Sequence, residues 1–280
     1  MKKKIELNIN LNNKTEKLLK TIKRKKEMPK KVIEHFYMMS VAMYIYDYSS
    51  LVKFMFVSKK CKSAASTLKV NPNFQDTEYY RRQMTLKQRV DLFKKELKLF
   101  DSLDTLRGSF TIISSFFESI VDKFDLFDLY YEGCGQLELF KKIQPQITQL
   151  EFICNGRFEG IHDMPLLKTF KVTFLPQSVN TNELNSIYVK VLCDYINNNT
   201  MRNLEHFILI VYDIAPIYLP LIQLISTKHP SCQIGICVKN NVTKDQVINY
   251  LNYATVISTS KDALFYGSVE NDLKVIATQF

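Results

Sequence analysis

Cysteine and histidine are the residues here best suited to hold a metal or to attack a substrate. The chain has six of the first and four of the second. Their tightest grouping is His229, Cys232 and Cys237. Structural zinc needs four N or S ligands, with paired cysteines commonly two to four residues apart. The pair here is C-x4-C, an extended segment sends only alternate side chains to one side, and no fourth ligand stands nearby. No metal site is expected. The remaining histidines, His35, His162 and His206, are scattered, so no Cys–His pair can be assigned from sequence. Gly133-Cys134-Gly135 is a lone G-x-G without the third glycine of a phosphate-binding turn. P-loop, H-E-x-x-H and G-x-S-x-G patterns are absent from the sequence. Cys134, Cys154 and Cys237 fall in or beside apolar runs, where a free cysteine packs as a small hydrophobe. An enzyme is the least supported class, and no cofactor is implied.

Charge is the second pattern with chemical content. Residues 1–31 hold 12 Lys or Arg against three acids, which is +9 of the chain's +10. The body that follows is close to neutral. Duplex binding needs several cations on one face to displace counterions, so nucleic acid is expected only through residues 1–31. Within them, Lys23-Arg24-Lys25-Lys26 fits a nuclear import signal. The same arm could also lie on an anionic membrane surface. It has no continuous apolar stretch of the kind a signal peptide carries. With free thiols and no C-x-x-C, an intracellular place, cytoplasmic or nuclear, is expected.

These residues must be positioned by a fold, and 46% hydrophobic residues in a 280-residue chain can build a sizeable core. Residues 5–11 alternate apolar and polar, then a short basic amphipathic segment follows. The whole of 1–27 reads as a basic arm. Pro29 sits near the start of a long helix, where its missing N–H costs nothing. Val32, Ile33, Phe36, Met39, Ala42 or Met43, and Tyr46 recur at helical steps. A turn at 47–50 leads to a helix over Leu51–Val57, which Ser50 can cap. A break at Ser58 leads to a third helix, ended by Asn71-Pro72-Asn73. In 76–103, Leu86, Val90, Phe93 and Leu97 mark an amphipathic helical linker. Phe207–Ser226 is about long enough for a bilayer. Asp213, Pro216 and Pro220 interrupt it, and a strand turning into a helix accounts for it better.

Residues 28–75 resemble an F-box. The quoted elements are Met28-Pro29, the pair Leu51-Val52, then Val57-Ser58-Lys59-Lys60 six positions on, followed by Cys61-Lys62-Ser63-Ala64-Ala65. Cys61 stands where that family usually has Trp, and the first helix is several residues longer. The resemblance implies docking on the small adaptor subunit of a cullin-RING ubiquitin ligase. It implies contacts through Pro29, Ile33, Leu51, Val52, Val57 and Ser58. A generic three-helix hairpin is the alternative.

From residue 104 onward the chain repeats. Leu126–Cys134 reads L-x-x-L-x-L-x-x-C, Ile147–Asn155 has the same form ending in Asn, and Leu167–Val172 and Leu204–Leu209 repeat its core. Such units, each unable to bury its apolar side alone, become stable when stacked. They resemble irregular leucine-rich repeats; a doubly wound α/β domain is the alternative. The expected fold is therefore α+β. An F-box-like helical module (28–75) and helical linker (76–103) precede an irregular leucine-rich-repeat α/β solenoid with a parallel sheet (104–280). The repeat puts Asp128, Tyr130, Glu132, Gln149, Glu151, Thr169, Lys171, His206 and Ile208 on its concave face. Ile153, Thr173 and Ile210 share that face. Its mix of charge with aromatic and aliphatic groups suits a protein partner. Three functions stay open: capture of a substrate protein for ubiquitin transfer, a plain repeat scaffold whose helices cap the stack, and nuclear nucleic-acid association through the arm.

Overall fold

The computed structural model describes residues 30–45, 47–72, 84–116, 118, 123–131, 136–154, 163–174, 181–198, 201–240, 242–258 and 274–275. The basic arm with Lys23–Lys26, and Pro29, Glu132, Cys134 and Asn155, lie outside these residues.

Three helices open the described chain: α1 (Lys30–Met43), α2 (Tyr48–Val57) and α3 (Lys59–Ser66). The second starts earlier than expected, and its cap is Asp47 rather than Ser50. The Asp47 carboxylate accepts from the Ser50 N–H at 2.7 Å, so Ser50 becomes the third helical residue. A carboxylate in extended backbone is a strong N-cap, because it satisfies an orphan N–H and faces the positive helix end. Burial alone would raise the Asp47 acid, but its hydrogen bonds to Ser50 hold it below its ordinary value. Ser58 is extended, breaks the chain between α2 and α3, and accepts from the Cys61 N–H at 3.1 Å. Ala42, Leu51, Ala65, Leu68 and Phe100 form the interior of this trio.

Helix α4 (Leu86–Leu97) starts with a reciprocal capping box between Thr85 and Gln88. Val90 and Phe93 face the second, larger core. The sheet then begins. Its strands are β1 (Thr105–Ser109), β2 (Leu126–Tyr131), β3 (Ile147–Cys154), β4 (Thr169–Phe174), β5 (His206–Val211), β6 (Gln233–Val238), β7 (Thr255–Ser258) and β8 (Lys274–Val275). Strands β1 to β7 are parallel and lie side by side in chain order; β8 pairs antiparallel with β7. A doubly wound sheet reverses its order at a switch point. Here every new strand adds to the same side.

The register fixes which residues share a face. Leu129, Leu150, Phe170, Phe207 and Ile234 stand side by side across five strands. Tyr131, Phe152, Val172, Leu209, Ile236 and Val256 form the next row. All are buried. The helices between strands cover this side: α5 (Phe110–Ser114), α6 (Leu137–Ile143), α7 (Thr181–Asn198), α8 (Leu219–Lys228) and the short α9 (Lys244–Val247). Each sends side chains into the same core, for example Ile113, Phe140, Leu192, Ile222 and Val247. Aromatic rings do much of the filling. Tyr131 stacks on Phe140 with centroids 4.1 Å apart, and Phe170 meets Phe207 edge-on at 5.8 Å. Among the described residues, the helices between strands send their buried side chains to this face. The 207–226 stretch is β5, a 3-10 turn and α8. Among the described residues no helix is long and apolar enough to cross a membrane.

Candidate interaction surfaces

The opposite sheet face is built from the alternate strand residues. Arg107, Asp128, Gln149, Thr169, His206 and Gln233 form one row across it. Ser109, Tyr130, Glu151, Lys171, Ile208, Gly235 and Thr255 form the next. Ile153, Thr173, Ile210 and Cys237 form a third. Every described concave-face position named from the sequence thus lies in one of these rows.

Exposure along the rows is uneven. Gln149 and His206 are exposed, and Tyr130, Glu151, Thr169, Lys171 and Ile208 are half-buried. Asp128 departs from expectation: it is buried, with 5% of its surface exposed. Its carboxylate accepts from Arg107 Nη2 at 3.0 Å and Nε at 3.3 Å, and from Thr148 Oγ1 at 2.7 Å. A buried carboxylate persists only when paired and hydrogen-bonded in this way, so Asp128 organises the face rather than contacting a partner. Lys171 Nζ lies 3.0 Å from Glu151 Oε2, which neutralises the middle of the face.

The β5–β6 side is different in kind. Thr173, Ile210 and Cys237 are buried there, on the face away from the described helices. A side chain at Gly235, between Ile208 and Thr255, would meet nothing within 4 Å. Just past β6, Lys239 Nζ lies 4.6 Å from the Tyr212 ring. Burial, and then the nearby Lys171 charge, push the Lys239 ammonium below its ordinary value. The face therefore carries paired charges over β1–β4, while over β5–β6 its exposed residues are His206 and Gln233 and its aliphatic ones, Ile208 and Ile210, are half-buried and buried.

A second surface lies on the helical trio. Phe56 is 84% exposed, Val57 74% and Phe36 71%; Tyr37 and Tyr44 are also well exposed. Lys60 on α3 pairs with Glu34 on α1 at 2.6 Å, and Cys61 Sγ meets Met38 Sδ at 4.0 Å. These contacts place the Phe36 turn of α1 and the α2–α3 junction at the same end of the trio. Of the residues the F-box resemblance names, Val57 and Ser58 are exposed, Val52 is half-buried and Ile33 lies in α1. Leu51 is fully buried in the trio's interior and can only pack there. Phe36 was expected inside and faces out, and Phe56 was not singled out. Helix α1 is apolar on nearly every side, a pattern that leaves its inner face undetermined.

The cysteine chemistry reads plainly. Among the described residues no three His, Cys, Asp or Glu side chains could hold a metal ion. Burial pushes the Cys193 and Cys232 thiols up to about 11, which leaves almost no thiolate nucleophile at neutral pH.

No protein-family model, no curated protein and no solved structure matches this chain.

Proposed function

We propose that this is a non-enzymatic interaction protein: a divergent F-box-like helical trio joined to a degenerate leucine-rich-repeat sheet. In this reading the trio docks on the small adaptor subunit of a cullin-RING ubiquitin ligase, in the cytoplasm or nucleus. The open sheet face, from Tyr130 and Gln149 to His206 and Ile208, receives a substrate protein. The observation that carries the proposal is the apolar surface at the α2–α3 junction. Phe56 and Val57 lie exposed beside Ser58 in the segment that resembles the family's docking run, and large exposed apolar patches mark contact sites. Strands adding in chain order, with the described helices packed on one side of the sheet, support the repeat half of the reading.

Pull-down with the purified adaptor tests it. The wild-type chain should be retained as a known F-box protein is, and the double variant Phe56→Ser, Val57→Ser should be lost with an unchanged circular dichroism spectrum. Failure of the wild type to bind sinks the docking half.

A plain repeat scaffold is the second reading, favoured by one observation. The trio's exit is seated on the sheet edge, where Val70 bridges Thr105, the place a capping element would occupy. It shares the substrate face but predicts no adaptor binding.

A further inference from the structure

Strand β1 is the first strand of the sheet, so among the described residues one row of its backbone groups has no strand to pair with. Unpaired edges invite association with another chain. Here the groups are engaged by the segment leaving the trio. The Lys69 carbonyl accepts from the Thr105 N–H at 2.9 Å, and Val70 bridges Thr105 in parallel fashion. Two residues on, a side chain takes over from the backbone. The Arg107 N–H donates to Asn71 Oδ1 at 2.7 Å, and Asn71 Nδ2 donates to the Arg107 carbonyl at 2.8 Å. A primary amide presents one donor and one acceptor side by side, as a peptide unit of a neighbouring strand does. Asn71 is 3% exposed, so both bonds are shielded from water.

We propose that Asn71 is a one-residue surrogate strand that locks the helical trio to the sheet edge as a rigid cap. The grip continues across the open face. The same Arg107 holds Asp128 on β2 through its side chain, and Asp128 accepts from Thr148 at the start of β3. The trio, β1, β2 and β3 are thereby tied by one hydrogen-bonded line. The lock stands on geometry alone. Its use, holding an adaptor bound at Phe56 and Val57 at a fixed attitude to a substrate on the sheet face, rests on the proposed function.

Residue-resolved amide exchange on the full chain tests the lock. Asn71→Ala should speed exchange of the Arg107 amide by about tenfold or more, as expected for losing two shielded bonds. The amides of Leu209 and Ile236, in the middle of the sheet, should keep their rates. Asn71→Leu fills the volume without hydrogen bonds and should match Asn71→Ala. Unchanged Arg107 exchange overturns the lock. So does equal acceleration at Leu209 and Ile236, which marks general destabilisation, or restored protection in Asn71→Leu, which marks packing alone. Adaptor pull-down fails or succeeds separately, so the two ideas fall independently.

Discussion

Arg107 and Asp128 stand opposite each other on adjacent parallel strands, 21 positions apart in sequence, and share two hydrogen bonds at 3.0 and 3.3 Å. Twenty-one is also the separation between Leu129 and Leu150, one face over. The period that stacks the apolar core therefore also brings this cation to this anion on the open side.

Removing one partner should be costly. In Asp128→Ala the half-buried guanidinium loses its buried anion and Thr148 loses its acceptor, so the variant should lose about 3 kcal/mol in urea unfolding. Asp128→Asn keeps an acceptor for Thr148 and should lose less. Equal losses would show that the charge carries the whole effect; no loss in Asp128→Asn would show that the charge does not matter.

The trio separates a packing residue from surface residues only a few positions away. Leu51→Ala should cost about 2–4 kcal/mol, because it empties a site at the centre of a small core. Phe56→Ser and Val57→Ser should each stay within about 0.5 kcal/mol of wild type, as exposed substitutions usually do. Thermal melts of the three variants check this. A large loss at Val57 would mean that its exposure in the isolated chain is misleading.

Two glycines should answer the same substitution in opposite ways. At Gly108 an added Cβ would sit 3.0 Å from Phe93 Cζ, a buried ring with little room to give. Gly108→Ala should cost about 1–2 kcal/mol by overpacking. At Gly235 the space is open, so Gly235→Ala should be neutral or stabilise by about 0.5 kcal/mol, since it restricts the unfolded chain. Chemical denaturation of both variants distinguishes them. Under the proposed function, Gly235→Leu should also weaken substrate capture while leaving adaptor retention intact.

High pH should weaken the fold. The folded chain holds the Cys193 and Cys232 thiols protonated up to about 11, from an ordinary value of 9. Because the folded state binds these protons more tightly, their contribution is complete below pH 9 and disappears as pH rises from 9 to 11. Melting temperature should fall across that window and change little from 7 to 8.5. Alkylation followed by mass spectrometry should find both thiols slow at pH 8 in the folded chain and fast in urea. Rapid labelling under native conditions would contradict the burial that raises them.

Much of the sheet is legible in the sequence. Aligning Leu126, Ile147, Leu167 and Leu204 as equivalent starts puts Leu129, Leu150, Phe170 and Phe207 in one row, which is the register found. Strand side chains alternate with a period of two, so a local pattern is enough to assign them to faces. Strand β1, helix α5 and strand β8 were not anticipated. They are short, and Thr105–Ser109 carries one large apolar residue, Leu106, too few for a period to show.

The sequence by itself determined which residues alternate along the central strands β2 to β5, where α2 and α3 divide at Ser58, and that the body is neutral beside a basic arm. Tertiary structure decided the rest. It turned Leu51 inward and Phe36 outward, because a helix with apolar residues on most sides has no inner face until a neighbour supplies one. It buried Asp128 by bringing Arg107 and Thr148 to it from other strands. It placed Asn71 against Arg107, 36 positions away, and no local periodicity encodes a contact at that distance. Short-range patterns fix faces; only the closing of the chain on itself fixes which faces meet.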